Sequence, residues 1–181
     1  MKKVLAISGS TRLHSTNLNY IKAVCELAAD IFSVEVYEGL LDIPPFNPDD
    51  DTDDPPAVIK DFRNQLKKAD GILICTPEYA MGVPGTLKNV IDWTVSSMEF
   101  SQKPVALITA SLSGLKGHAA LLETLHVIEA KITAATGLVI SFAKTKISAD
   151  CTITDESTLS DVKKLIEAFS LLMHEEPVNS N

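Results

Sequence analysis

Three short stretches hold most of the residues able to do chemistry. The first reads Gly9, Ser10, Thr11, Arg12, Leu13, His14, Ser15, Thr16, Asn17. Ser10, Thr11, Ser15 and Thr16 offer hydroxyl donors. Arg12 offers a permanent charge on a planar fork that can grip a phosphate through two parallel hydrogen bonds. Asn17 adds amide donors and a means of fixing the turn. An apolar run precedes the stretch and a helical pattern follows it. The stretch therefore opens a helix, whose free N–H groups and dipole attract an anion. It carries neither GxGxxG nor GxxxxGK[ST], which disfavours a dinucleotide or nucleoside-triphosphate cradle. A phosphate monoester fits it best; a Ser/Thr-rich turn that merely caps its helix is the alternative.

The second stretch runs Thr76, Pro77, Glu78, Tyr79, Ala80, Met81, Gly82, Val83, Pro84, Gly85, and Leu87, Lys88, Asn89, Ile91, Asp92 and Trp93 follow. Two prolines and two glycines stiffen such a loop and let its backbone approach a planar ligand. Tyr79 could pack on or near a ring. Glu78 is read as orienting its loop through hydrogen bonds in preference to acid–base work. Ile91 and Trp93 are read as packing residues. The third stretch is Ser111, Leu112, Ser113, Gly114, Leu115, Lys116, Gly117, His118. Its small residues would let backbone amides reach a polar ring edge. His118 is either a solvated helix-start residue or a functional one; His126 and His174 are isolated.

These stretches need elements to position them. Strand patterns cover 3–8, 34–37, 71–76, 105–110 and 138–141. Helical patterns cover 18–32, 57–69, 87–95, 119–135 and 157–173, the last capped by Asp155 or Ser157. Alternating strands and helices imply a parallel sheet covered on both faces, in the order 2-1-3-4-5. Such sheets take ligands beyond the carboxyl ends of their strands, so the loops after strands one, three and four are expected at the site.

One domain is expected over 1–174, with a polar, frayed tail at 175–181. A formal net charge of −8 argues against nucleic acid as a partner. The run from Val4 to Ile7 is too short for a signal peptide, and no stretch approaches the ~20 apolar residues of a membrane span. Cys25, Cys75 and Cys151 form no CxxC pair and no metal-ligand spacing, which suits reduced thiols in the cytoplasm. Cys75 reads as a core residue. Between 49 and 54 stand five carboxylates; without the glycine and terminal Glu of a calcium loop they read as a solvated, self-repelling connection.

Taken together, the loops resemble those of the NADPH-dependent FMN reductase family of flavodoxin-like proteins, which includes quinone, azo-dye and chromate reductases. The family's GSxRxxSxN stands here as Gly9, Ser10, Arg12, Ser15 and Asn17. Its PEYxxxxPGxLKNxxDW stands as Pro77, Glu78, Tyr79, Pro84, Gly85, Leu87, Lys88, Asn89, Asp92 and Trp93. Many members have Asn and Ser within PEYNxSxPG where this chain has Ala80 and Gly82, with Met81 between them. The resemblance implies a flavodoxin-like three-layer α/β fold and bound FMN. It also implies a ping-pong transfer of hydride from NADPH or NADH to a small acceptor such as a quinone, azo compound, flavin or metal oxyanion. Implied cofactor contacts are Ser10, Arg12, Ser15, Thr16 and Asn17; Pro77, Glu78, Tyr79, Ala80, Met81 and Gly82; and Ser111, Ser113 and Gly114. No catalytic side chain and no metal ligand is assigned. A homodimer or homotetramer is expected, because Leu87, Ile91 and Trp93 and the apolar helix at 119–135 look like more face than one core needs. The alternatives are a flavodoxin-like one-electron carrier and an FMN-free binding module.

Overall fold

A computed structural model describes residues 1–12 and 14–175. Five strands, β1 (Lys2–Ser8), β2 (Phe32–Val36), β3 (Gly71–Thr76), β4 (Val105–Ala110) and β5 (Gly137–Ile140), form one parallel sheet in the order β2-β1-β3-β4-β5. This is the expected order. The helices are α1 (Thr16–Leu27), α2 (Ala57–Lys68), α3 (Gly85–Asp92), α4 (Leu115–Val127) and α5 (Glu156–His174).

The period of two along each strand sorts side chains between two cores. Val4 and Ala6 of β1 and Cys75 of β3 pack with Tyr20 and Ile21 of α1 and Val162 and Phe169 of α5. Leu5, Ile7 and Ile74 pack with Phe62 of α2, Leu87 of α3 and Leu121 of α4. β3 and β4 are buried at every residue. Their unbroken apolar runs are therefore central-strand runs.

Three boundaries differ from the pattern reading. Helical periodicity carried the first helix to residue 32, yet α1 stops at Leu27. Phe32 pairs with Lys2 on the sheet edge and sets its ring edge-on to Phe169 at 5.7 Å. α3 spans Gly85–Asp92, two residues earlier at its start and three at its end than expected. α4 begins at Leu115 and ends at Val127, not 119–135. Beyond it Glu129 takes φ 59, and Lys131 is drawn into a bridge with Pro104. Asp155 is the cap of α5, accepting from the Thr158 N–H at 2.8 Å. The expected tail falls on 176–181, outside the described residues; Glu175 pairs with Lys131 at 2.8 Å.

The second half of the PEY signature works as a staple. Asn89 Nδ2 and Trp93 Nε1 both donate to the Pro44 carbonyl at 2.9 Å. Asn89 Oδ1 accepts from the Phe46 N–H at 2.7 Å, and the Phe46 ring meets Trp93 edge-on at 5.1 Å. Leu87, Ile91 and Trp93 are thus buried inside one chain. They offer no spare face, which removes that part of the argument for a dimer.

The acidic connection is not wholly solvated either. Asp51 is buried against Arg63 at 2.6 Å and accepts from Ser96 at 2.6 Å. Arg63 Nε also donates to the Trp93 carbonyl at 2.9 Å. Burial alone would raise the Asp51 carboxyl. The hydrogen bonds from Ser96 and Arg63, with the Arg63 charge, outweigh it and hold the group below the ordinary range. The pair's contribution is therefore full above the ordinary Asp value and is lost as pH falls through the depressed folded value. Arg63→Ala leaves the half-buried Asp51 carboxylate with Ser96 as its remaining partner and should cost about 2 kcal/mol, read from denaturant unfolding at pH 7. The loss should shrink as pH falls below about 3.9, where Asp51 protonates in the unfolded chain.

Candidate functional site

The carboxyl ends of β1, β3, β4 and β5 open on a cleft of about 420 Å³, within the range of small-ligand sites. Its first wall is the turn from β1 to α1. Gly9 donates its N–H to the Cys75 carbonyl at 2.8 Å, so the turn crosses the end of β3. A Cβ at Gly9 would lie 2.4 Å from Thr76 Oγ1 and 2.8 Å from Thr76 Cβ. Only glycine passes there without displacing the turn. Ser15 caps α1, its hydroxyl accepting from the Asn17 N–H at 3.2 Å. Asn17 is buried and its Oδ1 accepts from Cys75 Sγ at 3.4 Å, which anchors the helix start to β3. Burial pushes the Cys75 thiol well above its usual range, so it stays protonated as that donor.

The second wall is a two-residue hairpin. Tyr79 and Gly82 exchange backbone hydrogen bonds at 3.0 and 2.9 Å. Ala80 and Met81 between them take φ 49 and φ 64, the signature of a type I′ turn. That turn favours Asn then Gly. The Asn common at position 80 in the family suits this backbone, and Ala80 does not. Glu78 reaches across to α4, accepting from the Gly117 N–H at 2.7 Å. It supplies the N-terminal cap that Gly114, at φ 90, cannot give from a side chain. The orienting role expected of Glu78 is what its geometry shows. Gly117 lies so close that a Cβ would stand 2.7 Å from the Gly82 carbonyl.

The third wall joins the loop after β4 to the turn after β5. Ser111 and Phe142 donate to Ile140 and Leu112 carbonyls at 3.1 Å, and Ser141 Oγ donates to the Ser113 carbonyl at 2.8 Å. His118 is half-buried, with Nδ1 2.9 Å from Thr109 Oγ1. Burial pushes its imidazole below the ordinary value. It stands in the first turn of α4, tied to β4, and does not line the cleft.

Of the residues singled out in the sequence, Ser10, Arg12, Ser15, Thr16, Asn17, Pro77, Tyr79 and Ser111 line the cleft. Glu78, Ala80, Met81, Gly82, Ser113 and Gly114 do not; they shape the hairpin and the start of α4. The reading by strand order takes in three loops and misses Phe142, Ala143, Lys144 and Thr145, which with Ala110 and Leu112 complete the lining. A parallel sheet sends every carboxyl end to one side. The Phe-Ala-Lys-Thr run after the fifth strand was therefore a legible signal.

The family of the NADPH-dependent FMN reductases matches residues 2–145, and the chain belongs to it. A quinone reductase of Pseudomonas putida is 35% identical over 122 residues, 65% of this chain and 64% of that protein. The match thus spans less than two thirds of that relative's length. An NAD(P)H-dependent FMN reductase of Pseudomonas aeruginosa is 32% identical over 175 residues, 93% of this chain and 94% of the relative. Among solved structures, the flavoenzyme NAD(P)H:(acceptor) oxidoreductase FerB of Paracoccus denitrificans superposes with a TM-score of 0.79 at 25% identity, covering 96% of this chain and 97% of its own. The flavodoxin-like fold expected from the loops is the fold observed. Among the described residues no helix is long and apolar enough to cross a membrane.

Two outcomes are expected. Non-glycine residues in the left-handed region cost roughly 1–2 kcal/mol each, so Ala80→Asn with Met81→Gly should stabilise the chain by about 1 kcal/mol, read as a shift in denaturation midpoint at constant slope. Burial holds the His118 imidazole below its ordinary value in the folded chain, whereas in the unfolded chain it protonates near about pH 6.5. Unfolding then takes up a proton, and stability should fall as pH drops below that value. His118→Gln should flatten this decline, read in thermal melts as pH falls below about 6.5.

Proposed function

We propose that this chain is an FMN-dependent NAD(P)H oxidoreductase that passes hydride to a small acceptor, with quinones the class its relatives favour. One observation carries the reading. The cleft at the β1/β3 switch of strand order is lined by Arg12, Lys144 and the hydroxyls at the start of α1, and, among the described residues, by no carboxylate, although the chain carries 24 acidic residues. Such a lining suits an anion. The missing Cβ at Gly9 and the hydroxyl and guanidinium donors of residues 10–16 suit a phosphate monoester in particular.

The chemistry that FMN supplies when bound is relay of a hydride from a reduced nicotinamide to a second acceptor, chemistry no protein side chain offers. The chain's own work is to hold, orient and exclude. Ser10, Thr16 and Arg12 would grip the phosphate, while Ser15 and Asn17 keep the helix start in place. Pro77, Tyr79, Ser111 and Leu112 would frame the ring. Glu78 is engaged with the Gly117 N–H and is not offered as an acid or base. Tyr79, Leu112 and Phe142 are 51%, 75% and 62% exposed, an apolar mouth where nicotinamide and acceptor can take turns. Met81 and Leu115 are exposed as well, and such exposed apolar side chains suit pairing in a homodimer; a monomer mass in sedimentation equilibrium at micromolar concentration would remove that part.

The purified full chain should be yellow or turn yellow with FMN, and NADPH or NADH alone should bleach it rapidly. FAD in the native protein, or a chain that ignores both nicotinamides, would sink the reading. Arg12→Ala should weaken FMN binding by about 1.5–3 kcal/mol, the range for hydrogen bonds to a charged group, in a fluorescence titration of flavin-free protein.

A further inference from the structure

The turn that leaves β5 carries features that packing of the fold does not use. Phe142 stands at φ 53, a region a bulky residue occupies only when its surroundings hold it there. Its ring is exposed and lines the cleft. Lys144 lines the same cleft and forms no ion pair with any described residue. Between them Ala143 is fully fixed. It is 2% exposed, its N–H donates to the Ser111 carbonyl at 3.0 Å, and its carbonyl accepts from Tyr20 Oη at 3.0 Å. Tyr20 lies one helical turn beyond Thr16 on α1. The residue before Lys144 is thus pinned to the helix whose N-terminus forms the anion end of the cleft.

Charge counting gives this placement a purpose. A phosphate monoester carries about two negative charges near neutral pH. Arg12 supplies one positive charge, and a helix N-terminus about half of another. With no carboxylate in the lining, the remaining positive charge is that of Lys144. We infer that Lys144, presented by the turn Ala143–Thr145, is the second cationic contact of the flavin phosphate. The inference rests on the reading of this cleft as an FMN site.

The test compares Lys144→Met, which keeps the aliphatic stem, with Lys144→Arg, which keeps the charge. Each full-length, flavin-free variant is titrated with FMN and with riboflavin, which lacks the phosphate, at low and high salt. Circular dichroism melts check folding. The Met variant should bind FMN about 10- to 100-fold more weakly, with riboflavin unaffected and a shallower salt dependence. The Arg variant should stay near wild type. Unchanged FMN affinity in the Met variant would overturn the inference, including the case in which only the KM for NADPH rises and the lysine serves the nicotinamide's phosphate. Equal losses for FMN and riboflavin would also overturn it, since the turn would then shape the ring pocket. A wild-type chain that binds neither flavin removes the FMN reading itself, a result distinct from failure at Lys144.

Discussion

The site hangs on one close approach. Where β1 ends, the chain must cross the end of β3 before it can enter α1, and Thr76 Oγ1 stands 2.4 Å from the place a side chain at residue 9 would occupy. Glycine at that point lets the turn lie flat on the sheet. The Gly9 N–H bond to Cys75 and the Asn17 bond from its thiol then fix where α1 begins. The place of the α1 N-terminus at the cleft follows from that crossing, and a helix N-terminus acts only over its first turn. A turn pushed outward by one methyl group would displace Ser10, Arg12 and the start of α1 together from the end of β3.

The other walls are set by ties between loops that are far apart in sequence. Glu78 joins the hairpin to α4 through Gly117, and Tyr20 joins α1 to the turn after β5. Each tie spends a buried or half-buried polar group on a backbone partner, which is where such groups are stable. The result is a cleft whose three walls hold one another. Its charged residues stay exposed and uncommitted, while its uncharged polar residues are largely engaged in the scaffold.

Much of this was legible beforehand. The unbroken apolar runs of β3 and β4 announced central parallel strands, and they sit where the runs lie. Ser10, Arg12 and Ser15 stood out by type and spacing, and the structure brings all three to the cleft. Failures came where local pattern met a longer-range partner. Helical periodicity after residue 127 lost to the bridge between Lys131 and Pro104, and no window of sequence contains that partner. Leu87, Ile91 and Trp93 read as surplus apolar surface because the loop that covers them, around Phe46, is more than 40 residues away. Ala80 and Met81 stand in the sequence reading as cofactor contacts. The structure shows that the position is first a backbone problem, a turn needing two positive φ values.

The staple at Pro44 reaches beyond packing. It and the Asp51–Arg63 pair nail down the long connection between β2 and α2 at two separate points. What would be one floppy crossover becomes short spans, each closed at small entropic cost because closure depends only weakly on length. The span just past the second nail, Thr52, Asp53 and Asp54, is exposed. It is a natural port for grafting: a peptide tag or a whole guest domain inserted there would leave both nails driven. The same insertion at Pro45 would pull the carbonyl of Pro44 from Asn89 and Trp93 and unseat the helix that follows the hairpin.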